Sequence, residues 1–526
     1  MRNRTVLLLV VCAVAAFAAV AVYHARSQAT VDLGEYKSVG RVPVISPDYV
    51  GCVIPPNIAP LNFVVTEPGK RCCVRISAGR GKPIEVVNAS GRVVIPLGPW
   101  KKLLDANRGG TLTFDVYTKD REGGWSRFAP IVNTIAPEDI DPYLVYREMP
   151  VYNLAWTDMG IYQRNLGNYD ETVIVHNASF EHGCVNCHTF LRNRPDHMLM
   201  NVRRLGDVGP PGGMLMAQNG VVRKVVDTKT AFNPIPAIYL AWHPSGEVVS
   251  FSTNKVLQCF HTIGYHRDTV DTFSDLALYL IDSNTITTTP AISKPDRLET
   301  YPTWTPDGRT MYFCSAPQLP IKRYREVLYD VMRIPYDLKS DTWGKTEMVV
   351  SAKETGLSAA LPRISPDGRF LLFCMMAYGN FGAFSPSSDL YIMELKTGKY
   401  RRLAINSDKG DSYHSWSSNS RWVAFSSKRL DGLLARPYLC YVDADGKAHK
   451  PVLLPQKDPT FYDSHIRVYN LPELIAEPVR LTERELTRAL YSPEKAEKAK
   501  LDPRVKPQKP IGPDAQDTQY EPGPAG

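Results

Sequence analysis

The amino-acid sequence predicts an all-β protein, in which a β-sandwich is followed by a β-propeller of about six blades. Three observations favour this fold. The 42 prolines and 35 glycines of the 526 residues lie between short apolar runs, the spacing expected of turns between short strands. A chain of this length exceeds what one hydrophobic core usually supports. The second half of the chain also repeats one hairpin pattern.

Residues 1–29 have the pattern of an export signal. Arg2 and Arg4 precede an uninterrupted apolar run from Val6 to Tyr23, which corresponds to the charged and hydrophobic regions of such signals. The small-residue pattern that a signal peptidase would cut, Ser27–Ala29, lies several residues beyond the apolar run. We therefore favour an uncleaved membrane anchor over a cleaved signal, with the rest of the chain in the periplasm or on the envelope side.

Residues 50–140 have the pattern of a small antiparallel sandwich of immunoglobulin-like type. In the run Thr111–Tyr117, apolar and polar residues alternate, which is the period of a half-buried strand. Glycine- and asparagine-rich segments between such runs supply turns. One short helix is expected at Trp100–Ala106.

Residues 145–475 contain the repeats. Each repeat begins with an apolar residue, which is followed by a tight turn and a strand, and a further strand comes later. A Pro-Asp-Gly turn joins antiparallel strands, because proline presets one backbone angle and glycine accepts a positive one. One such set makes a blade, and blades in a ring cover one another's faces. The repeats begin at Trp242, Trp304, Ile364 and Trp416, and a sixth blade can be assembled from Tyr143–Tyr162 with Tyr462–Leu471.

Residues 476–526 follow a different pattern. The segment Thr482–Lys500 is predicted to form a helix, because Thr482 and Glu485 have the spacing of a capping box. The segment Pro503–Gly526 is rich in proline, glutamine and aspartate and has no apolar period. We expect it to be a disordered tail.

The sequence Cys184-Val185-Asn186-Cys187-His188 is the attachment motif of c-type haem. Cys184 and Cys187 would bind the haem vinyl groups covalently, and His188 would be the proximal iron ligand. One covalent haem c is therefore the predicted cofactor, and the export signal agrees with it because this attachment takes place outside the cytoplasm. A thioredoxin-like redox pair, a zinc site and a plain disulfide remain alternatives.

The distal iron ligand decides what such a haem can do. A methionine or histidine gives a six-coordinate electron carrier, whereas an open position permits ligand binding or peroxide chemistry. A more distant residue or an open site also remains possible. The nearby candidates are Met198, Met200, His182 and His197.

The repeats resemble a known type of propeller. The Pro-Asp-Gly hairpins and the Asp-Leu-Tyr or Tyr-Asp strands that follow them resemble the WD-like repeats of TolB-type propellers over roughly residues 150–475. The whole chain resembles a group of exported bacterial proteins that join a cytochrome c motif to a TolB-like propeller, most clearly at Met159–Asn165 and Cys184–Phe190. The resemblance implies the fold, but no established activity comes with it.

Other classes of function find little support. The 62 basic and 54 acidic residues leave a net charge of +8 that is spread along the chain, whereas nucleic-acid binding needs a basic patch. There is no Gly-x-Ser-x-Gly elbow and no Walker loop. The histidines at or near the repeat turns are expected to be surface imidazoles. They are His243, His261, His266 and His414.

The remaining cysteines are expected to be structural. Cys314 and Cys374 occupy equivalent positions in two repeats, where a buried thiol packs as a small apolar group. In the N-terminal unit, Cys52 is expected to form a disulfide with Cys72 or Cys73.

These observations favour an electron carrier with a single haem over an enzyme. The propeller face would bind a redox partner or an envelope protein, and the N-terminal segment would bind the membrane. The alternative is a partner-binding or sensor protein of the envelope, in which the haem is sensory or structural. A haem peroxidase is less favoured because the chain holds a single Cys-x-x-Cys-His motif.

Overall fold

The computed structural model describes residues 33–150, 158–203, 212–259, 268–379, 381–383 and 385–506. The predicted N-terminal anchor, His261, His266 and most of the predicted tail lie outside these ranges. Within them, no helix combines the length and the apolar character needed to cross a lipid bilayer.

The first unit is the predicted β-sandwich, and it begins earlier than expected, at Tyr36. Its larger sheet has the order β1-β9-β8-β10-β3, with β5 on the other side of β8 and β6 next to β5, and its smaller sheet has the order β2-β4-β7. The predicted helix is present as α1, where Trp100 is buried and its Nε1 donates a hydrogen bond to Ile58 O at 3.0 Å. The elements are β1 (Tyr36–Ser38), β2 (Ile45–Ser46), β3 (Val53–Ile54), β4 (Phe63–Val65), β5 (Arg71–Ala78), β6 (Ile84–Asn88), β7 (Arg92–Val93), α1 (Leu97–Asp105), β8 (Thr111–Lys119), β9 (Trp125–Arg127) and β10 (Ile131–Ile135).

The disulfide expected in this unit is absent. Cys52, Cys72 and Cys73 are buried free thiols. Cys52 immediately precedes β3, whereas the other two lie on β5, and β10 and β8 separate those strands in the sheet. Three strand spacings amount to about 14 Å, which is about twice the largest Cα separation that a disulfide spans.

The second unit is a ring of six sheets, which confirms the predicted propeller. Each sheet runs from an innermost strand to an outer edge, and apolar clusters fill the spaces between successive sheets. Blade 1 contains β11 (Tyr143–Pro150), β12 (Gly160–Asn165) and β13 (Glu171–His176), and blade 2 contains β14 (Cys184–Leu191), β15 (Arg194–Arg203), β16 (Gly213–Gln218) and β17 (Val221–Asp227). Blade 3 contains β18 (Ile238–Trp242), β19 (Val248–Cys259), β20 (Asp268–Leu280) and β21 (Thr285–Thr287), and blade 4 contains β22 (Arg297–Trp304), β23 (Thr310–Pro317), β24 (Asp330–Asp337), β25 (Thr342–Trp343) and β26 (Glu347–Val350). Blade 5 contains β27 (Ser358–Ile364), β28 (Phe370–Met376), β29 (Asp389–Glu394) and β30 (Tyr400–Arg402), and blade 6 contains β31 (Asp411–Trp416), β32 (Trp422–Ser427), β33 (Arg436–Tyr441) and β34 (Val452–Leu453). A short helix, α2 (Ala352–Thr355), precedes blade 5.

Blade 1 is completed by a strand from the far end of the propeller sequence. After the short helix α3 (Phe461–Ser464), β35 (Arg467–Ile475) pairs antiparallel with β11 and becomes the innermost strand of that blade. This is the assembly predicted for the sixth blade. It closes the ring, because the first and last strands of the propeller share one sheet.

Every innermost strand carries a β-bulge at the same place. Relative to its partner strand, each has one extra residue, which re-aims the side chains on the bulged strand. In blade 2 the bulge lies between Asn186 and Thr189, where Cys187 and His188 stand. The other five bulges hold a left-handed residue, with φ between 43° and 56°, namely Tyr239, Tyr301, Leu361, Tyr413 and Leu471.

The first hairpin of blade 2 differs from the prediction. The segment Arg194-Pro195-Asp196-His197 resembles the Pro-Asp-Gly turns of the later repeats, with His197 in the glycine position, and this likeness predicts a turn at Arg194–His197. The turn instead lies at Arg192 and Asn193, whose φ values are 52° and 61°, and His197 is on β15. The prediction was wrong because these two residues adopt the left-handed backbone that glycine provides elsewhere, as at Gly308 with φ 72°.

The C-terminal segment follows the outside of the ring. The predicted helix α4 (Glu483–Tyr491) begins with the expected capping box of Thr482 and Glu485. It ends well before Lys500, because Pro493 has no N–H to continue it. The chain then adds β36 (Ala496–Lys498) to the outer edge of blade 2 and β37 (Lys500–Leu501) to that of blade 3, both in parallel.

Two of the histidines expected at the surface are buried. His243 has 5% of its surface exposed and His414 has 4%. The Nε2 of His243 lies 2.9 Å from Gly308 O in the next blade, so the imidazole links two blades instead of facing solvent. The expectation for Cys314 and Cys374 is confirmed, because both are fully buried free thiols.

Candidate functional site

The haem motif lies on β14, the innermost strand of blade 2. Residues before the bulge pair in register, with Cys184 opposite Arg203, and pairing resumes with Thr189 opposite Leu199. In a regular strand, residues three apart face opposite sides. The bulge interrupts that alternation between Cys184 and Thr189. The side chain of Cys187 is outside the described part of the structure.

Cys184 is a buried free thiol, 1% exposed. The guanidinium of Arg203 donates a hydrogen bond to its Sγ at 3.3 Å. Met149 and Met159, from blade 1, pack around the thiol. The thiol therefore faces blade 1, with the guanidinium of Arg203 beside it.

His188 is buried as well, with 4% of its surface exposed. Among the described residues, neither ring nitrogen has a hydrogen-bond partner of ordinary geometry. Burial, together with the positive charges of Arg147 and Arg363, lowers the pKa of this imidazole to about 3, against the opposing effect of a backbone contact with Leu471 of blade 1. The ring is therefore neutral near pH 7, and a nitrogen lone pair is available for a metal.

His414 occupies the equivalent position in blade 6 and provides an internal comparison. It is equally buried, and burial lowers its pKa to about 3 as well. Its Nε2 lies 3.1 Å from Leu372 O and its Nδ1 lies 3.7 Å from Cys374 Sγ. The repeat position thus accommodates an imidazole, but within the described residues only His414 has ring contacts of ordinary hydrogen-bond geometry. A buried polar group without such contacts is destabilising.

Charged groups of blade 1 surround the motif. Arg147 is 8% exposed and donates hydrogen bonds to Asn186 Oδ1 and to Val185 O. On β35, half-buried Glu473 accepts hydrogen bonds from Phe190 N at 3.0 Å and Thr189 Oγ1 at 3.2 Å. Burial raises the pKa of Glu473 to about 7.

The four predicted distal candidates lie in three different places. Met198 and Met200 are fully buried in the core between blades 1 and 2. His197 Nδ1 lies 3.1 Å from Asp196 Oδ1, and its ring packs edge-on against Trp242. His182 is exposed in a turn, with φ 54°.

Two other methionines near the motif were not identified from the sequence, because both lie far from it along the chain. Met149 and Met159 contact Cys184, although they precede it by 35 and 25 residues. Met159 is held in place, because its N–H donates to Asn177 Oδ1 at 3.2 Å and its carbonyl accepts from Asn177 N at 2.9 Å. The sequence did carry one signal, since Met159 begins one of the two stretches on which the family resemblance rests.

Comparison with known proteins adds only distant likenesses. No family model matches the chain, and no curated protein matches it. Among solved structures, a nidogen/laminin complex aligns at 7% identity and a TM-score of 0.37, over 64% of this chain and 100% of that one. An oligogalacturonate lyase from Vibrio parahaemolyticus aligns at 11% identity and a TM-score of 0.32, over 77% of this chain and 98% of that one.

The tricorn protease aligns at 9% identity and a TM-score of 0.29, over 65% of this chain and 43% of that one. Scores this low carry no argument about function. The fold and the site by themselves define the class: a six-bladed β-propeller with a Cys-x-x-Cys-His motif on an innermost strand.

Proposed function

We propose that this chain is an extracytoplasmic c-type cytochrome that transfers electrons through one haem, attached at Cys184 and Cys187 with His188 as the proximal ligand. The observation that carries the proposal is the buried imidazole of His188, whose ring nitrogens form no hydrogen bond of ordinary geometry within the described residues. In a folded protein such an imidazole is expected to have a partner. An iron ion bound at the ring would supply one.

The haem, when bound, supplies one-electron oxidation and reduction. The residues of the chain set the conditions for it. His188 is neutral near pH 7 and needs no deprotonation before it binds a metal. Arg147 and Arg203 bring two guanidinium groups to the motif, which suit the carboxylates of a haem. Burial between blades keeps water from the site, which is one of the factors that tune a haem potential.

The sixth ligand in this proposal is Met159. Cys184 packs against Met149 and Met159 of blade 1, and His188 is close to Arg147 of the same blade. A haem on this strand would therefore lie between blade 2, which supplies the fifth ligand, and blade 1, which supplies the sixth. The two hydrogen bonds to Asn177 fix the backbone of Met159, as expected of a positioned ligand.

A second candidate function is a partner-binding or sensor protein of the cell envelope. It is favoured by His414, which shows that an imidazole at this bulge can serve blade packing alone. In that case the propeller would keep its partner after removal of the haem, whereas an electron carrier would lose its function.

Covalent attachment is the first test. In a host competent for cytochrome c maturation, we expect the chain to retain haem through denaturing electrophoresis and acidified-solvent extraction. The Cys184→Ser, Cys187→Ser double variant should retain none, because both thioether bonds are lost. The matched control is Cys314→Ser, Cys374→Ser, since serine stands at the equivalent positions 252 and 426. An intact chain without covalent haem would refute the proposal.

The sixth ligand can be tested by carbon monoxide. We expect the wild-type haem to be low-spin and indifferent to carbon monoxide, and Met159→Ala to become high-spin when oxidised and to bind carbon monoxide when reduced. The control is Met198→Ala, which removes an equally buried methionine from the core between the blades and should remain low-spin. The assignment of Met159 fails if its alanine variant also ignores carbon monoxide.

A further inference from the structure

A cavity at the propeller centre lies outside the haem motif. It measures about 230 Å³, part of which is open to solvent, and its enclosed part has room for about one water-sized group. Residues from blades 3, 4 and 5 and the connections between their strands form its walls. Among the lining residues are Thr269, Asp271, Tyr301, Tyr329, Ser358 and Phe381.

The charged group of this cavity is the carboxylate of Asp271. Its Oδ1 accepts from Asn254 Nδ2 and its Oδ2 from the Tyr329 hydroxyl, both at 2.9 Å. Both donors are neutral, and within the described residues no ion pair of Asp271 is seen. Burial raises the pKa of Asp271 to about 6, so it is mostly ionised at pH 7. Asp271 is half-buried, and a carboxylate that loses part of its hydration without gaining a cation is destabilised.

Aromatic rings form much of the remaining wall. Tyr301 packs against Tyr239, with 4.4 Å between ring centroids, and Tyr239 packs edge-on against Phe381. The ring of Tyr329 packs directly against Gly379, where an added Cβ would lie 2.7 Å from the ring. The faces of aromatic rings carry partial negative charge and attract cations.

We propose that this cavity binds a single primary ammonium group, with its charge at Asp271 and its alkyl stem against Tyr301 and Phe381. A divalent metal ion would prefer several carboxylate and carbonyl ligands, whereas the lining side chains include one carboxylate, and their other oxygens belong to neutral hydroxyl groups. Within the described residues, no cluster of three or more metal-ligating side chains is found. A lysine side chain and a free amino terminus share the required chemistry, and both can come from a partner protein.

Saturation-transfer NMR on the full-length protein tests this inference. We expect n-butylammonium to bind and n-butanol, its neutral counterpart, not to bind. Nα-acetyllysine amide and glycinamide distinguish a side-chain ammonium from an α-ammonium. Asp271→Asn should weaken binding by about tenfold or more, because the charge-assisted contact is lost. The control is Asp282→Asn, an exposed carboxylate outside the cavity.

The outcomes are separable from those of the haem proposal, because the haem-free Cys184→Ser, Cys187→Ser variant should bind n-butylammonium as the wild type does. If Asp271→Asn does not fold, Phe381→Ala provides a second variant and should weaken binding severalfold. Equal binding of n-butanol, unchanged binding by these cavity variants, or displacement of the amine by low concentrations of calcium ion would each overturn the inference.

Discussion

Replacing His188 with phenylalanine is expected to abolish the low-spin haem spectrum without destabilising the fold. Phenylalanine fills a similar volume but offers no nitrogen to the iron. In the haem-free protein the change removes buried polar atoms that have no partner, so stability should stay the same or rise by about 1 kcal/mol. Absorption spectra report the first effect, and thermal unfolding in the haem-free Cys184→Ser, Cys187→Ser background reports the second.

His414→Phe is the matched control, and we expect the opposite pattern. His414 has the same burial and the same position in its repeat, but its ring nitrogens contact Leu372 O and Cys374 Sγ. Its loss leaves a buried carbonyl with fewer partners and should cost about 1–2 kcal/mol, while the haem spectrum stays low-spin. If His188→Phe instead kept a low-spin haem, the proximal assignment would be wrong.

Ending the chain after Pro459 is expected to prevent the propeller from folding. This truncation removes β35, which is the innermost strand of blade 1 and the element that closes the ring. The truncation also removes the buried side chains of Tyr469, Leu474 and Ile475, and β11 loses one of its two neighbouring strands. At about 1.5–3 kcal/mol per buried side chain, these three residues alone account for roughly 4.5–9 kcal/mol, which is comparable with the roughly 5–15 kcal/mol by which folded domains are usually stable. Circular dichroism and cooperative thermal unfolding measure the result.

Two longer chains complete this series. Ending after Lys506 removes only residues outside the described ranges, and we expect wild-type unfolding. Ending after Glu477 keeps β35 but removes α4, β36 and β37, so that Leu486 and Leu490 no longer cover blades 1 and 2. At about 1.5–3 kcal/mol per buried side chain, this chain should fold but lose roughly 5 kcal/mol. A cooperatively folded chain ending at Pro459 would show that ring closure is dispensable.

The sequence alone predicted the features that depend on neighbouring residues. Alternating apolar residues indicated the strands, and the turns of the later repeats indicated the blades. The capping box at Thr482 and Glu485 was recognisable because both partners lie within one helical turn. The Cys-x-x-Cys-His motif was recognisable because covalent haem attachment would fix this spacing. The first turn of blade 2, at Arg192 and Asn193, lacks glycine, and the local sequence pattern therefore predicted the wrong position for this turn.

The tertiary structure decided what depends on residues far apart in the chain. Cys52 is separated from Cys72 by two strands, which only the order of the sheet reveals. The position of the haem motif on a bulge follows from strand register. His188 and His414 are the same residue type in equivalent repeats, and they differ because, within the described residues, only the imidazole of His414 forms contacts of ordinary hydrogen-bond geometry with the preceding blade. Met159 approaches Cys184 for the same physical reason, since packing between blades joins side chains that no local pattern connects.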